Sequence, residues 1–470
     1  MRRVNRPVVA AVAALTCALL ARSAQAQNCE STRPTDAGGT AGVSYGAAKV
    51  AFLDSPSGRA RVHYALSGPS APPAASTLEA DVPDAVVVAA QAADEALAKY
   101  AALKFLPPLS DGDSPCASNG DSDAVDIYLI NFAAADGQAV VDHCSTGKPK
   151  TCSGFVLVEN DFRSGGYADT AEGLRTVVPH ELFHLVQDAY DAGVEHWWAE
   201  GSAQWAAKQV YPELRDLERF LPAYFDIPWQ PLDVPPNGVI TSFLYATAIW
   251  PVFLHERFDS AVVREVFEGF DGTGGVLATT DQVLQARGSS LASEFLQFAA
   301  YNSATGARAP DRGGYAHAAD YPEVPFKALD TAKEPLVSDV TAGMGATYYS
   351  LSAPQPVQIS LEADPGRLAA LLVPLDDGKP SLEAAQPLPA QAQGDAVIVL
   401  AGQSTLRTDA AFKLRAKSSG DAAPESAGCS VSPALDTTAP MSGFWLGIAL
   451  SGLARLRGAR RAKAARKGEI

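Results

Sequence analysis

Residues 177 to 205 read VVPHELFHLVQDAYDAGVEHWWAEGSAQW and combine an HExxH pattern with a second helical segment. On a helix of 3.6 residues per turn, His180 and His184 project from the same side, with Glu181 beside them. Two imidazoles one turn apart can bind one Zn²⁺ at about 2.0 to 2.1 Å, and the adjacent carboxylate can reach a water molecule on the metal. A catalytic zinc needs a third protein ligand, and Glu200 is the candidate for that position.

The same stretch predicts two helices. Five apolar residues recur at helical spacing on the face away from the histidines, and this face is expected to pack on a sheet: Val178, Leu182, Leu185, Val186 and Ala189. Gly193 follows the predicted end of this helix, and residues 195–211 predict a second helix that brings Glu200 back toward the histidines. Because Pro179 cannot donate a backbone hydrogen bond to Arg175, the first helix either starts at Pro179 or is kinked there.

HELFH followed by WWAEGSAQW resembles the gluzincin metallopeptidases, the thermolysin-like class in which a downstream Glu completes the HExxH motif. The resemblance implies that His180, His184 and Glu200 are the zinc ligands and that Glu181 is the general base. It also implies a zincin-like domain over residues 27–330, with a mixed sheet, an active-site helix and a helical second half.

Several residues near this motif have two interpretations. Trp197, Trp198 and Trp205 could line a substrate cleft, but tryptophans at helical spacing are more often core residues. His196 is most simply a residue at a helix N-terminus, with metal binding as the alternative. The group Asn119 to Asp123 is expected to form a solvated turn rather than a Ca²⁺ site.

The resemblance also implies a Tyr or His that steadies the oxyanion when water attacks a peptide carbonyl. Tyr245 is the first candidate and His255 the second, with a core position as the alternative for each. Both lie in a segment, residues 243–258, that is predicted to be a packed helix, as are residues 261–267 and 291–301.

The first half of the chain predicts a strand at 61–66, a helix at 83–105 and strands at 125–131 and 154–159. In zincins the strand before the active-site helix usually forms the rim of the cleft. Residues 155–159 are therefore expected either to pair with an extended substrate or to be an internal strand.

From residue 331 to 417 short apolar or alternating runs are separated by Pro, Gly and Asp, which predicts a small β-sandwich. A Ser/Ala/Pro-rich linker, residues 418–440, follows and contains Cys429. The expected fold class is therefore α+β, a zincin-like domain followed by a sandwich whose role is open.

Both ends of the chain have the composition of processed segments. Residues 1–26 combine a basic start, a short apolar core and an A-x-A end, which is typical of a secretory signal peptide. Residues 441–454 are uncharged but shorter than the roughly 20 residues that span a bilayer, and seven basic residues follow them. With Cys429, this end resembles the myxobacterial (MYXO-CTERM) sorting segment, which implies removal of residues 441–470 and display on the cell surface. A plain membrane anchor is the alternative.

Charge and cysteine content agree with export. Residues 27–440 contain 26 basic and 52 acidic residues, a formal charge of −26, which argues against nucleic acid or anionic lipid as a partner. Contact with a membrane is expected only through the C-terminal tail. Besides Cys429, this body contains four cysteines, which allow three disulfide connectivities. The favoured one joins Cys144 to Cys152 across a short loop and leaves Cys29 with Cys116.

The sequence therefore predicts an exported, envelope-attached zinc endopeptidase that acts on protein or peptide substrates. One alternative is a catalytically inactive zincin that serves as a surface binding or adhesion protein. The other is a structural envelope protein in which His180 and His184 are core residues.

Overall fold

The computed structural model describes residues 33–36, 39–40, 43–110, 112, 119–132, 135–163, 166–238, 241–364, 366–403, 405 and 408–418. The predicted signal peptide, the Cys429 linker and the C-terminal segment lie outside these residues, as do Cys29 and Cys116. All described residues fall within one compact unit. None of the helices in the described part of the chain has the length and apolar composition that crossing a bilayer requires. The fold class is α+β, as expected, with one mixed and one largely antiparallel sheet.

A five-stranded mixed sheet forms the first layer. Its strands are β1 (Val50–Asp54), β2 (Ala60–Ala65), β3 (Val125–Ile130), β4 (Gly137–Cys144) and β5 (Cys152–Glu159), in the order β1-β2-β3-β5-β4. β2, β3 and β5 are parallel, and the two outer strands are antiparallel to their neighbours. The cleft-rim prediction for residues 155–159 is wrong, because β5 is hydrogen-bonded on both sides and β4 forms the edge.

Two long helices cover one face of this sheet, α1 (Asp84–Ala102) and α2 (Thr170–Asp188). All five residues of the predicted apolar face of α2 are buried. α2 begins at a cap in which the Asp169 side chain accepts from the Glu172 amide, while Glu172 reaches back to the Ala168 amide. Of the two alternatives for Pro179, a helix start there is wrong, because the helix begins nine residues earlier. The Pro179 carbonyl accepts a hydrogen bond from Tyr100 of α1.

The chain then becomes helical, as predicted. The helices are α3 (His196–Val210), α4 (Asp216–Phe220), α5 (Pro222–Phe225), α6 (Thr241–Ala246), α7 (Ile249–Arg257), α8 (Ala261–Glu268), α9 (Val276–Ala286) and α10 (Leu291–Ser303). The single helix predicted over residues 243–258 is divided between α6 and α7. At the break the Thr247 hydroxyl bonds the carbonyls of Leu244 and Trp197, so this residue ties the turn to α3. Short 3₁₀ helices follow at Gly306–Arg308 and Ala318–Asp320.

The C-terminal part is an eight-stranded sheet. Its strands are β6 (Lys327–Ala328), β7 (Val337–Thr341), β8 (Ala346–Ala363), β9 (Leu368–Asp376), β10 (Lys379–Pro380), β11 (Gln386–Pro387), β12 (Ala390–Gly402) and β13 (Ala410–Ser418), with a 3₁₀ turn at Leu382–Ala384. The main path is β10-β9-β12-β8-β13-β7, with β11 paired to β9 and β6 paired in parallel to β8.

This sheet is continuous rather than divided into the two layers of the predicted sandwich. Tyr349 lies fourteen residues before Ala363 in β8, a separation of about 45 Å in a straight strand. Phe412 pairs with Ala363, yet its ring lies 6.2 Å from that of Tyr349. β8 therefore bends back, and the two halves of one sheet enclose a core between them.

The other face of the second sheet packs on the helical part. Val397 and Val399 of β12 belong to the same buried cluster as Phe295 and Phe298 of α10. The intervening residue Ile398 faces the enclosed core of the sheet. The cluster that surrounds α2 thus continues into the second sheet.

One disulfide is present among the described residues. It joins Cys144 at the end of β4 to Cys152 at the start of β5 and closes the loop between these strands. This part of the predicted connectivity is confirmed. The pairing of Cys29 with Cys116 lies outside the described residues and stays a prediction.

Candidate metal centre

The two predicted helices bring three donor groups together. His180 and His184 lie one turn apart on α2, and Glu200 lies in the second turn of α3. The His180 Nε2 atom is 3.2 Å from His184 Nε2 and 3.1 Å from Glu200 Oε2, and the distance from His184 Nε2 to Glu200 Oε2 is 3.5 Å. Within the described residues, this is the only group of three His, Cys, Asp or Glu side chains that converges closely enough to hold a metal ion.

The spacing of these atoms suits a tetrahedral ion. Ligands about 2.0 to 2.1 Å from a tetrahedral zinc lie about 3.3 Å from one another. The three observed separations, 3.1 to 3.5 Å, bracket that value. Two imidazoles and one carboxylate are also a ligand set that zinc accepts, and they leave its fourth position open.

The electrostatics of the three groups reflect their mutual attraction. Burial would lower the pKa of His184, but the Glu200 carboxylate outweighs this effect and raises the pKa to about 10. Burial would raise the pKa of Glu200, but the two imidazoles hold it well below its usual range. Glu200 is therefore ionised at neutral pH, and in the absence of a metal a proton on His184 compensates its charge.

Glu181 is close to the cluster without belonging to it. Its side chain is buried, and this burial raises the pKa of the carboxyl group although His180 and His184 oppose the effect. Gly137 of the edge strand β4 lies against it. A Cβ atom at this position would come within 2.4 Å of Val177 and 2.8 Å of the Glu181 Cγ atom, so only glycine allows β4 to approach α2 this closely.

A cavity of about 250 Å³ opens beside His180 and Glu181. Its wall combines carboxylates and aromatic rings, which include Asp136, Tyr167, Asp216, Phe220 and Tyr245. The Tyr167 hydroxyl donates to Asp136, and burial is the main reason why the pKa of Asp216 is raised. A larger cavity of about 580 Å³ lies elsewhere, against Tyr100 and Val186, and its lining does not include the two histidines or Glu200.

The two candidates for an oxyanion donor differ in their position relative to the cavity. The ring of Tyr245 lies 5.3 Å from that of His180, and Tyr245 lines the cavity. Burial, together with Glu200 and Glu181, keeps the pKa of Tyr245 above its ordinary value. His255 instead accepts a hydrogen bond from the Trp205 indole and does not line this cavity.

The other residues near the motif that had two interpretations have structural positions rather than positions in the site. Trp197, Trp198 and Trp205 are buried in the main core, so the cleft interpretation of these residues is wrong. His196 is the exposed first residue of α3. Residues 119–123 form a turn in which the Asn119 amide donates to the Ser122 carbonyl, and they do not belong to the candidate metal group of the described residues.

Two glutamines that contact the histidines were not predicted. Gln204 of α3 lies 3.1 Å from His180 Nδ1, and Gln187 of α2 lies 2.9 Å from His184 Nδ1. Helical spacing was the available signal, because Gln187 is three residues after His184 and Gln204 is four after Glu200. Comparison with known proteins adds no further assignment, because no protein-family model and no curated protein matches the chain.

Proposed function

We propose that the protein is a zinc endopeptidase with a zincin-like fold, in which His180, His184 and Glu200 bind zinc and Glu181 is the general base. The observation that carries this proposal is the convergence of three donor atoms, 3.1 to 3.5 Å apart, beside an open cavity. A structural zinc is almost always held by four protein ligands, whereas a catalytic zinc has three and an open position. The set of three ligands beside a cavity favours catalysis.

The proton transfers are assigned to Glu181. Bound zinc would supply Lewis acidity at this point of the cavity. The raised pKa of Glu181 favours uptake of a proton by its carboxylate, which accepts it from the attacking water. The same carboxyl group then delivers the proton to the departing amine.

Tyr245 is the proposed donor to the developing oxyanion. Because its pKa is raised, the phenol keeps its proton at neutral pH and can donate a hydrogen bond. Its ring packs edge-on against His180, which places it beside the proposed zinc ligands.

The edge strand supports a peptide as substrate. β4 ends the five-stranded sheet beside Glu181, and an extended chain can bind such an edge through backbone hydrogen bonds. The proposal includes export directed by residues 1–26 and attachment through the tail at residues 441–470. The acidic composition of residues 27–440 and the Cys144–Cys152 disulfide are typical of an extracellular protein.

The test is digestion of casein and a peptide library by the purified protein with and without a chelator. Glu181→Gln should keep its zinc but lose activity by about 100-fold or more, because general acid–base catalysis contributes roughly 10²- to 10⁴-fold. Glu213→Gln, which removes an exposed glutamate outside the cavity, is the matched control and should retain full activity.

Three results would contradict the proposal in different ways. An unchanged rate in Glu181→Gln would exclude Glu181 as the base. Zinc binding by the wild type without hydrolysis of any peptide would favour a surface binding or adhesion protein. Absence of zinc binding would favour a structural role for the two histidines.

A further inference from the structure

We propose that Gln187 and Gln204 are positioning residues that hold the proton of each imidazole on Nδ1, so that both Nε2 lone pairs face the metal. The inference rests on the proposed metal site and extends it to two residues outside the ligand set. It follows from the directions of the hydrogen bonds that each amide makes.

The orientation of the Gln204 amide is set by Asp216. The Gln204 Nε2 atom lies 2.5 Å from Asp216 Oδ2, and an ionised carboxylate can only accept a hydrogen bond. The amide nitrogen therefore faces Asp216, and the amide oxygen is left 3.1 Å from His180 Nδ1.

The Gln187 amide is oriented independently by α3. Its nitrogen donates to the Ala199 carbonyl at 2.8 Å and to the Ser202 hydroxyl at 3.1 Å. The Ser202 hydroxyl uses its own proton on the Trp198 carbonyl, so it accepts from the amide. The Gln187 oxygen must then face His184 Nδ1, which is 2.9 Å away.

An amide oxygen accepts and never donates, so each Nδ1 atom must carry a proton to make these bonds. A metal binds the neutral imidazole, which has one such proton, so in the metal-binding form both Nε2 atoms carry a bare lone pair. The two Nε2 atoms and the Glu200 Oε2 atom lie 3.1 to 3.5 Å from one another, so a metal that displaces the extra proton of His184 would meet both lone pairs.

The two amides also join the helices that carry the ligands. Gln187 extends from α2 to the residue before Glu200, and Gln204 extends from α3 back to His180. Because both side chains are neutral, they orient the imidazoles without adding a negative charge, and Glu200 remains the only charged ligand of the three. A carboxylate partner on Nδ1, by contrast, would make the imidazole a stronger donor.

Zinc affinity, measured by competition with a chelator, tests this role with two variants of one residue. Gln187→Met and Gln187→Glu both lose the amide donors to Ala199 and Ser202, and Gln187→Glu also places a carboxylate oxygen beside the Ala199 carbonyl, so its structural cost is at least as large. They differ in the acceptor on His184 Nδ1, which only Gln187→Glu retains. We expect Gln187→Met to lose affinity by about 10- to 100-fold and Gln187→Glu to bind as tightly as the wild type or more tightly.

A second pair repeats the test at His180. Gln204→Met should lose about 10- to 100-fold in zinc affinity. Combining Gln204→Glu with Asp216→Asn exchanges the donor and acceptor groups but keeps an oxygen on His180 Nδ1, so affinity should return to within a few-fold of the wild type. Gln285→Met, which removes an exposed amide bonded to Asp281, is the control and should leave affinity unchanged.

The absorption spectrum of the Co²⁺-substituted protein provides a readout independent of activity, because it reports the ligand geometry. We expect a tetrahedral spectrum in the wild type and a shifted one in the two Met variants. Equal affinity losses in the Met and Glu variants of Gln187 would overturn this inference alone. A wild-type protein that binds no zinc would overturn the proposed function as well.

Discussion

Two buried clusters of this molecule combine histidine and carboxylate side chains, and they are completed in different ways. In the first, the Arg33 guanidinium contacts Asp126 and lies 2.8 Å from Asp142, while His63 Nε2 lies 2.7 Å from Asp126. The arginine and both aspartates are at most 1 % exposed. The chain therefore supplies the cation for its own buried carboxylates.

The second cluster, His180, His184 and Glu200, has no such internal cation. No arginine or lysine of the described residues forms an ion pair with Glu200, whose charged neighbours are the two imidazoles. Its donor atoms converge beside a cavity rather than under the core. The difference teaches that burial of charge alone does not indicate a functional site, whereas donor atoms that converge without an arginine or lysine among them are a stronger indication.

The second cluster, His180, His184 and Glu200, is called the open cluster here. Removal of its carboxylate should have the largest effect on zinc binding. Glu200→Gln removes the only charged ligand, so we expect zinc affinity to fall by on the order of a thousandfold, more than the loss of an outer-shell contact. Competition with a chelator measures the change, and the exposed Glu213→Gln variant is the control. If Glu200→Gln binds zinc as the wild type does, the two clusters do not differ in the proposed way.

Removal of the internal cation should instead affect stability. Arg33→Met removes the guanidinium that both buried aspartates contact, and we expect it to cost about 3 to 5 kcal/mol in the free energy of unfolding. Denaturant unfolding of the metal-free protein measures this cost. Zinc affinity under folding conditions should not change, and a large loss of affinity would show that the clusters are coupled.

The pH dependence of zinc binding sharpens the contrast further. Without metal, His184 holds a proton with a pKa of about 10, and zinc must displace it. Affinity should therefore rise with pH, by about tenfold per unit between pH 7 and 9, and level off above pH 10 as His184 loses the proton unaided. Calorimetry in buffers of different ionisation enthalpy should detect about one proton released per zinc at pH 8, and no release would contradict the assignment.

The geometry of the open cluster was predictable because it depends on local spacing. His180, His184 and Glu200 are separated by one helical turn and one helix–turn–helix connection, so the period of the helix nearly determines their meeting. The apolar face of α2 followed from the same period. Tertiary context mattered little for these features.

The first cluster, Arg33, His63, Asp126 and Asp142, is called the closed cluster here. Its geometry was not predictable from local spacing. Arg33 meets Asp126 and Asp142 across 93 and 109 residues, and no local pattern connects them. The edge strands β1 and β4 were missed for a related reason. β1 is only five residues long, and β4 is interrupted by polar residues and has a register shift between Val141 and His143, so neither has the clean alternation of a predicted strand.

The smallest effect is expected at Asp142, where burial and the Arg33 guanidinium shift the pKa of the carboxyl group in opposite directions. Burial raises the pKa of Asp142 although Arg33 opposes the effect. A carboxyl group whose pKa is higher in the folded state stabilises that state most at acid pH. This contribution decreases as the pH rises through the folded pKa.

Asp142→Asn removes this dependence while Asp126 still compensates Arg33, so we expect a loss of only about 1 kcal/mol at pH 7. The loss should be larger at pH 4, because the wild type alone gains stability on protonation at this position. Unfolding of both proteins at the two pH values measures the difference. A loss that instead increases with pH would show that Arg33 lowers the pKa of Asp142 by more than burial raises it. The positive charge of Arg33 would then be sufficient to stabilise both buried carboxylates, Asp126 and Asp142.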